Sequence, residues 1–254
     1  MISQTHRHQS ILSKLSKESF VNVLQLCKEL NVSSVTIRKD LKLLEDRELL
    51  FRTHGGATAH NPYTVDRPVN EKEKLQSNEK MRIGARASRL IQPNDSIIIA
   101  SGTTVLAFAR SIQMKENFTA VTSSLPITME LIKRSNVEVL QLGGSIRKSS
   151  SSVIGPYSQK ILEDFLCSKV FLGVDGIDLE FGLTTTDMSE AYLNRKMIEV
   201  SQKLVVLSDS TKFGKRGFGR ICGLEEIDEV ITDSNVSDHF VNKLEAMGII
   251  VTVV

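Results

Sequence analysis

Apolar positions in the first part of the chain recur at helical spacing. Ile11, Leu12 and Leu15 stand at i, i+1 and i+4; Val23, Leu24, Leu26, Cys27 and Leu30 form a second stripe; Ile37, Leu41 and Leu44 form a third. Ser33 is placed to cap the third helix, and only Asn31-Val32-Ser33 separates it from the second. So short a connection makes the two helices cross steeply, which predicts a helix-turn-helix. The strand-like Leu49-Leu50-Phe51-Arg52-Thr53 then runs through His54 to Gly55-Gly56, the pattern of a β-hairpin wing.

Farther along the pattern changes. Pro62, Pro68, several charges and little apolar periodicity mark a linker, taken as residues 58–78 between a head of 1–57 and a larger domain of 79–254. Short, nearly continuous apolar runs follow, at Ile97-Ile98-Ile99, Ala120-Val121, Val137 to Leu142, Val170 to Val174, Leu204 to Leu207, Val230-Ile231 and Ile249 to Val254. Helical segments are expected between them near 103–113, 125–135, 157–166, 187–202 and 237–247. Strands buried on both faces and alternating with helices predict a doubly wound, largely parallel α/β sheet.

Composition narrows the class. With 41% hydrophobic and 24% charged residues among 254, the chain is an ordinary globular one, not a disordered or collagen-like one. No apolar run approaches the length of a membrane span or a signal-peptide core, so a soluble, cytoplasmic protein is expected. Cys27, Cys167 and Cys222 are odd in number and widely spaced, which argues for reduced thiols rather than a disulfide framework. Residues 1–54 hold nine Lys and Arg against six Asp and Glu, a balance of +3, while the remainder holds 23 against 24, a balance of −1. A basic head on a neutral body suits a head that meets a polyanion.

The third helix carries the chemistry for that. With Ile37, Leu41 and Leu44 turned inward, Ser33, Ser34, Thr36, Arg38, Lys39 and Lys42 offer donors and cations to phosphates and base edges, and Arg52 and His54 share one face of the wing. In the larger domain the residues just beyond each strand are small and polar: Ser101-Gly102-Thr103-Thr104, Ser123-Ser124, Gly143-Gly144, Asp175-Gly176 and Asp209 with Lys212. In an open parallel sheet the ligand lies at these strand ends. A glycine-containing hydroxyl loop opening a helix is an anion site, or else a turn with its cap; convergence of five such ends with Lys212 favours a small phosphorylated ligand. Arg147 reads equally as a second cation or as a solvated surface charge.

The run Val32-Ser33-Ser34-Val35-Thr36-Ile37-Arg38-Lys39-Asp40-Leu41, then Leu44-Glu45 and Arg52-Thr53-His54-Gly55-Gly56-Ala57, resembles the DNA-binding signature of the DeoR family of bacterial transcriptional regulators. The S-G-T-T loop, Leu142-Gly143-Gly144, Phe171 to Gly176, Asp209 to Gly214 and Ile227 to Asp233 are similar, in order, to that family's sensor domain. The resemblance implies a winged helix-turn-helix head and a sensor resembling sugar-phosphate isomerases. It implies a regulator, most simply a repressor of carbohydrate genes, that binds operator DNA and responds to a phosphorylated sugar; activation and co-repression stay open. Lys39 stands where the family more often has Arg, and Ala100 where many members carry an acid. A head this small is expected to need a homo-oligomer reading paired half-sites.

The alternative is an isomerase-like enzyme with Asp175 or Asp209 as base and Lys212 on the phosphate. No nucleophile elbow, dinucleotide fingerprint, P-loop lysine or metalloprotease motif occurs in the sequence, and no cofactor or metal is expected. His6 and His8 lie two apart on what reads as a surface helix, and the basic Gly214–Arg220 stretch reads as a mobile loop beside the ligand site.

Overall fold

The computed structural model describes residues 3–18, 20–47, 49–53, 55–58 and 68–254, which fall into two compact units divided between 65 and 66.

The first unit is built from α1 (Gln4–Glu18), β1 (Phe20–Asn22), α2 (Val23–Leu30), α3 (Ser34–Glu45), β2 (Phe51–Thr53) and β3 (Gly56–Thr58). Asn31 takes the left-handed conformation, φ 51°, that ends α2, and Ser33 caps α3 by accepting from the Thr36 N–H at 3.2 Å. Ile11, Leu15, Leu26, Ile37, Leu41, Leu44 and Leu50 fill one core beneath the three helices. The sequence pattern did not reveal β1, which pairs antiparallel with β3 and makes the wing three-stranded in the order β1-β3-β2. Gly56 is required there, because a Cβ would sit 2.0 Å from the carbonyl oxygen of Val21.

In the second unit α4 (Val69–Lys74) and α5 (Ser77–Ala87) come first, so part of the stretch read as linker is helical. The chain continues through β4 (Ser96–Ile99), α6 (Thr103–Ser111), β5 (Phe118–Thr122), α7 (Leu125–Leu131), β6 (Val137–Gln141), β7 (Ser145–Arg147), β8 (Ser152–Ile154) and α8 (Pro156–Leu162). After these come β9 (Lys169–Gly173), β10 (Gly176–Asp178), β11 (Gly182–Thr185), α9 (Met188–Glu199), β12 (Leu204–Leu207), β13 (Gly219–Cys222), β14 (Glu229–Thr232), α10 (Asp238–Ala246) and β15 (Ile250–Val253). Seven strands pair in parallel in the order β15-β14-β12-β9-β4-β5-β6.

The unbroken apolar runs follow from this topology. Ile98, Val170, Leu172 and Val206 pack into a cluster on one face of the sheet, while Ile97, Ile99, Phe171 and Val205 pack into a second cluster on the other. Phe108 of α6 stacks on Phe171 with ring centroids 4.4 Å apart. The smaller additions are antiparallel: the β7–β8 hairpin and the ribbon β10-β11-β13. That ribbon takes in the end of the stretch read as a mobile loop, with the Gly217 N–H donating to Thr184 Oγ1 at 2.7 Å and Arg216 Nε pairing with Asp178 at 2.9 Å.

Sheet order also fixes where a ligand site can form. From β4 the chain winds outward to β5 and β6, then returns to β9 on the other side of β4. The crevice beyond the carboxyl ends of β4 and β9 is therefore the topological switch point.

Candidate functional site

In the first unit, α3 presents Val35, Arg38, Lys39, Lys42 and Leu43 to solvent, and among the described residues neither Arg38 nor Lys39 makes an ion pair. The hydroxyls of Ser33 and Thr36 lie 3.0 Å apart, so both are engaged in the cap; Ser34 is half-buried. Arg52 is held by Glu45, which accepts from its backbone N–H at 3.0 Å and from its Nε at 2.6 Å. His54 lies outside the described residues.

The opposite side of α3 holds a feature the motif reading did not use. Asp40 falls on the buried stripe with Ile37, Leu41 and Leu44, and is 2% exposed. Arg7 donates to it through Nε at 2.7 Å and Nη2 at 3.0 Å, and Nε2 of His8 lies 3.1 Å from its Oδ1. His8 is thus a buried partner, not the surface residue expected. The hydrogen bond to Asp40 raises the Arg7 pKa further. This fork ties α3 to α1, and the signal for it was a carboxylate at a core-facing position, where burial demands a partner.

In the second unit the switch point gathers residues from distant parts of the chain. Gly102 and Gly173 bring the two loops close, a Cβ on either glycine standing 3.9 Å from the other's Cα. Ser101 Oγ donates to Glu190 Oε1 at 2.6 Å, and Arg147 Nη1 donates to Glu190 Oε2 at 2.8 Å. Thr185 Oγ1 bridges two carboxylates, 3.2 Å from Asp175 Oδ2 and 3.3 Å from Glu190 Oε2. Asp175 Oδ2 also accepts from the Thr186 N–H at 3.3 Å, while Lys72 Nζ reaches its Oδ1 at 2.9 Å and Lys212 Nζ stands 3.8 Å away.

The two carboxylates are tuned in opposite directions. Burial pushes Glu190 up, an effect that the Ser101 hydrogen bond and Arg147 only partly offset. Burial also pushes Asp175 up, but Lys72 and Lys212 together more than reverse it and hold this group below the ordinary carboxylate value. Behind them Lys80 is 5% exposed and donates to the carbonyls of Lys72 and Leu75, each at 2.6 Å. Burial pulls its pKa down, against the attraction of Asp209.

Ser101, Gly102, Asp175 and Lys212 are thus brought together, with Thr103 and Thr104 opening α6, whose N-terminus has no side-chain cap. Asp209 is buried at the end of β12, accepting from the Thr211 N–H at 3.1 Å. Several other strand-end residues hold the frame. Ser124 Oγ caps α7 at 3.5 Å, Ser123 O accepts from the Val153 N–H at 2.7 Å, and Gly143 and Gly144 lead into β7. Gly176 leaves room for the carbonyl of Lys215, which would lie 2.3 Å from a Cβ. Ala100 is buried in the core beside Ile98 and Leu172. Arg147 is not a solvated surface charge: its side chain is 11% exposed and turned onto Glu190. Glu190 and Lys72 were missed because their partners Ser101 and Asp175 lie 89 and 103 residues away; Lys80, Thr185 and Thr186, whose partners are 5 to 11 residues off, stand in no motif that marks them.

Burial pushes the thiol of Cys167 up to about 11 and that of Cys222 up to about 12, so neither is a reactive thiolate near neutral pH. Among the described residues no cluster of His, Cys, Asp and Glu is placed to hold a metal ion, and no helix is long and apolar enough to cross a membrane.

Two family models match in chain order: the DeoR-like helix-turn-helix domain over residues 7–62 and the DeoR C terminal sensor domain over 75–234. The HTH-type transcriptional regulator UlaR of Shigella sonnei is 32% identical, with 98% of each chain covered. The HTH-type transcriptional regulator GlpR of Haloferax volcanii is 32% identical, with 96% of each covered, and the glycerol-3-phosphate regulon repressor of Escherichia coli K12 is 28% identical, with 92% of each covered. Among solved structures, a probable sor operon regulator from Shigella flexneri superposes with a TM-score of 0.43 at 11% identity, covering 67% of this chain and 88% of the other. That superposition is too loose to carry an argument.

Proposed function

The chain belongs to the DeoR family of transcriptional regulators, and from that premise we propose that it acts as a repressor which binds operator DNA with its first unit and a phosphorylated sugar with its second. Arg38, Lys39 and Lys42 face the major groove, with Arg38 reading a base edge and the lysines holding phosphates. Ser33, Ser34 and Thr36 set the start of the recognition helix against the backbone, and Arg52 and His54 flank it from the wing. One such head buries little surface, so the operator is bound by at least a dimer on paired half-sites.

The observation that carries the sensor half is the charged cluster at the switch point, where Lys72 and Lys212 face Asp175 and Arg147 faces Glu190. Ionised Asp175 accepts from sugar hydroxyls, while Lys212 and the uncapped start of α6 at Ser101 to Thr104 take the phosphate. Asp209, Ser123, Ser124, Gly143, Gly144 and Gly176 shape the surround. Ligand binding shifts the balance between DNA-competent and DNA-released states, relieving repression by the difference in ligand affinity for the two, typically about 1–3 kcal/mol. Such a protein works in the cytoplasm, where both its DNA and its metabolite are found. The relatives are regulators by name, and the isomerase alternative is not carried forward.

Two substitutions separate the halves. Arg38→Ala is expected to lower affinity for a specific site by about 10- to 100-fold while leaving sugar-phosphate binding intact. Lys212→Ala is expected to do the reverse. Both are read by electrophoretic mobility shift and calorimetric titration of the full chain, and unchanged operator affinity in Arg38→Ala overturns the placement of the recognition helix.

A further inference from the structure

The element α4 is held to its unit in an unusual way. None of its six residues is fully buried, so little apolar burial fixes it. Its attachments are polar: the Val69 N–H donates to Ser149 O at 2.7 Å, Glu73 pairs with Arg110 of α6, Lys80 holds the carbonyls at its end, and Lys72 reaches across to Asp175 at 2.9 Å. In sequence, α4 is also the first described helix after the stretch that leads from the DNA-binding unit.

The charges around Asp175 are not symmetric. Were Lys72 to leave, Asp175 would keep Lys212 as a counter-ion and Thr185 and Thr186 as donors. Asp175 would therefore not be left without a counter-ion, and a dianionic group entering beside it offers the ammonium a stronger partner than a carboxylate already shared.

We propose that Lys72 is a binding residue for the effector: its ammonium rests on Asp175 in the free protein and transfers to the phosphate of a phosphorylated polyol, whose hydroxyls then donate to Asp175. This rests on the sugar-phosphate reading of the sensor unit and adds to it the residue that couples occupancy to the connection with the DNA-binding unit. The position of α4 follows the ligand because Lys72 is the charge that the ligand takes.

The test is calorimetric titration of the full chain with glycerol 3-phosphate, ribose 5-phosphate and fructose 6-phosphate, each beside its unphosphorylated parent and inorganic phosphate. Hydrogen exchange of the α4 amides is followed in the same samples. For whichever phosphate ester binds the wild type, Lys72→Met is expected to weaken it by about 10- to 100-fold, the worth of a charge-assisted hydrogen bond. Lys72→Arg is expected to restore binding to within a few-fold. Exchange at residues 70–74 is expected to slow on binding in the wild type and not in Lys72→Met. Unchanged affinity in Lys72→Met, or α4 exchange indifferent to a bound ester, overturns the role of Lys72 while the sensor reading stands. A wild type that binds none of the esters overturns both.

Discussion

Two carboxylates a few ångströms apart, bridged by one threonine hydroxyl, behave oppositely because their neighbours differ. Asp175 has Lys72 and Lys212 beside it and is lowered; Glu190 is more deeply enclosed, and Ser101 and Arg147 do not make up for the water it has lost. A group lowered in the folded state stabilises above its ordinary value, 3.8 for Asp175, and that contribution is lost as pH falls through the lower folded value. A group raised in the folded state has the opposite sign: the advantage tied to protonated Glu190 is present below 4.5 and disappears as pH rises through its folded value. The gap in unfolding free energy between wild type and Asp175→Asn is therefore expected to narrow as pH drops below 3.8, which urea unfolding across a pH series measures. A gap that is constant with pH would mean that the lysines do not stabilise the ionised form.

At the scale of elements, what the sequence revealed depended on how far apart partners lie. Ile97-Ile98-Ile99 and Val170-Phe171-Leu172 read as strands buried on both faces because the requirement is local, and the short turn at Asn31 to Ser33 read as a helix-turn-helix for the same reason. The ribbon β10-β11-β13 and strand β1 did not, since three- and four-residue strands carry too little alternation to stand out. Lys72 was hidden by the polar, proline-flanked surroundings of α4, and Glu190 by its place in an ordinary amphipathic helix, α9; their partners Asp175 and Ser101 are 103 and 89 residues away. The glycine pair in the wing illustrates the reverse case, a local motif with a tertiary reason. Gly56→Ala is expected to distort β3 against Val21, lowering the Tm of the first unit and weakening DNA binding at least about tenfold, since the wing carries Arg52. Calorimetry and mobility shift on the same sample decide it, and a variant that melts and binds like the wild type would show that β1 and β3 are not paired in solution.

For the whole molecule, the division of charge matches the division of labour. The basic unit carries Arg38 and Lys39, without an ion pair among the described residues, on an exposed helix face, whereas the cations of the second unit, Lys72, Lys212 and Arg147, are turned onto Asp175 and Glu190. On the proposed function, a polyanion meets the first, and a small ligand must compete with internal carboxylates for the second. Such competition is expected to make the sensor respond to a ligand that supplies both hydroxyls and a phosphate, because neither alone satisfies the charges it displaces.

The most direct measurement is fluorescence anisotropy of the full chain on DNA from beside its own gene, at several salt concentrations, with scrambled competitor and with the series of sugar phosphates. The expected result is a specific complex whose affinity falls steeply with salt, in proportion to the phosphates neutralised, and which one sugar phosphate weakens by about 5- to 150-fold. Binding indifferent to sequence at every salt concentration, or a specific complex that no phosphorylated sugar shifts, would contradict a DNA-binding repressor controlled through the switch-point crevice.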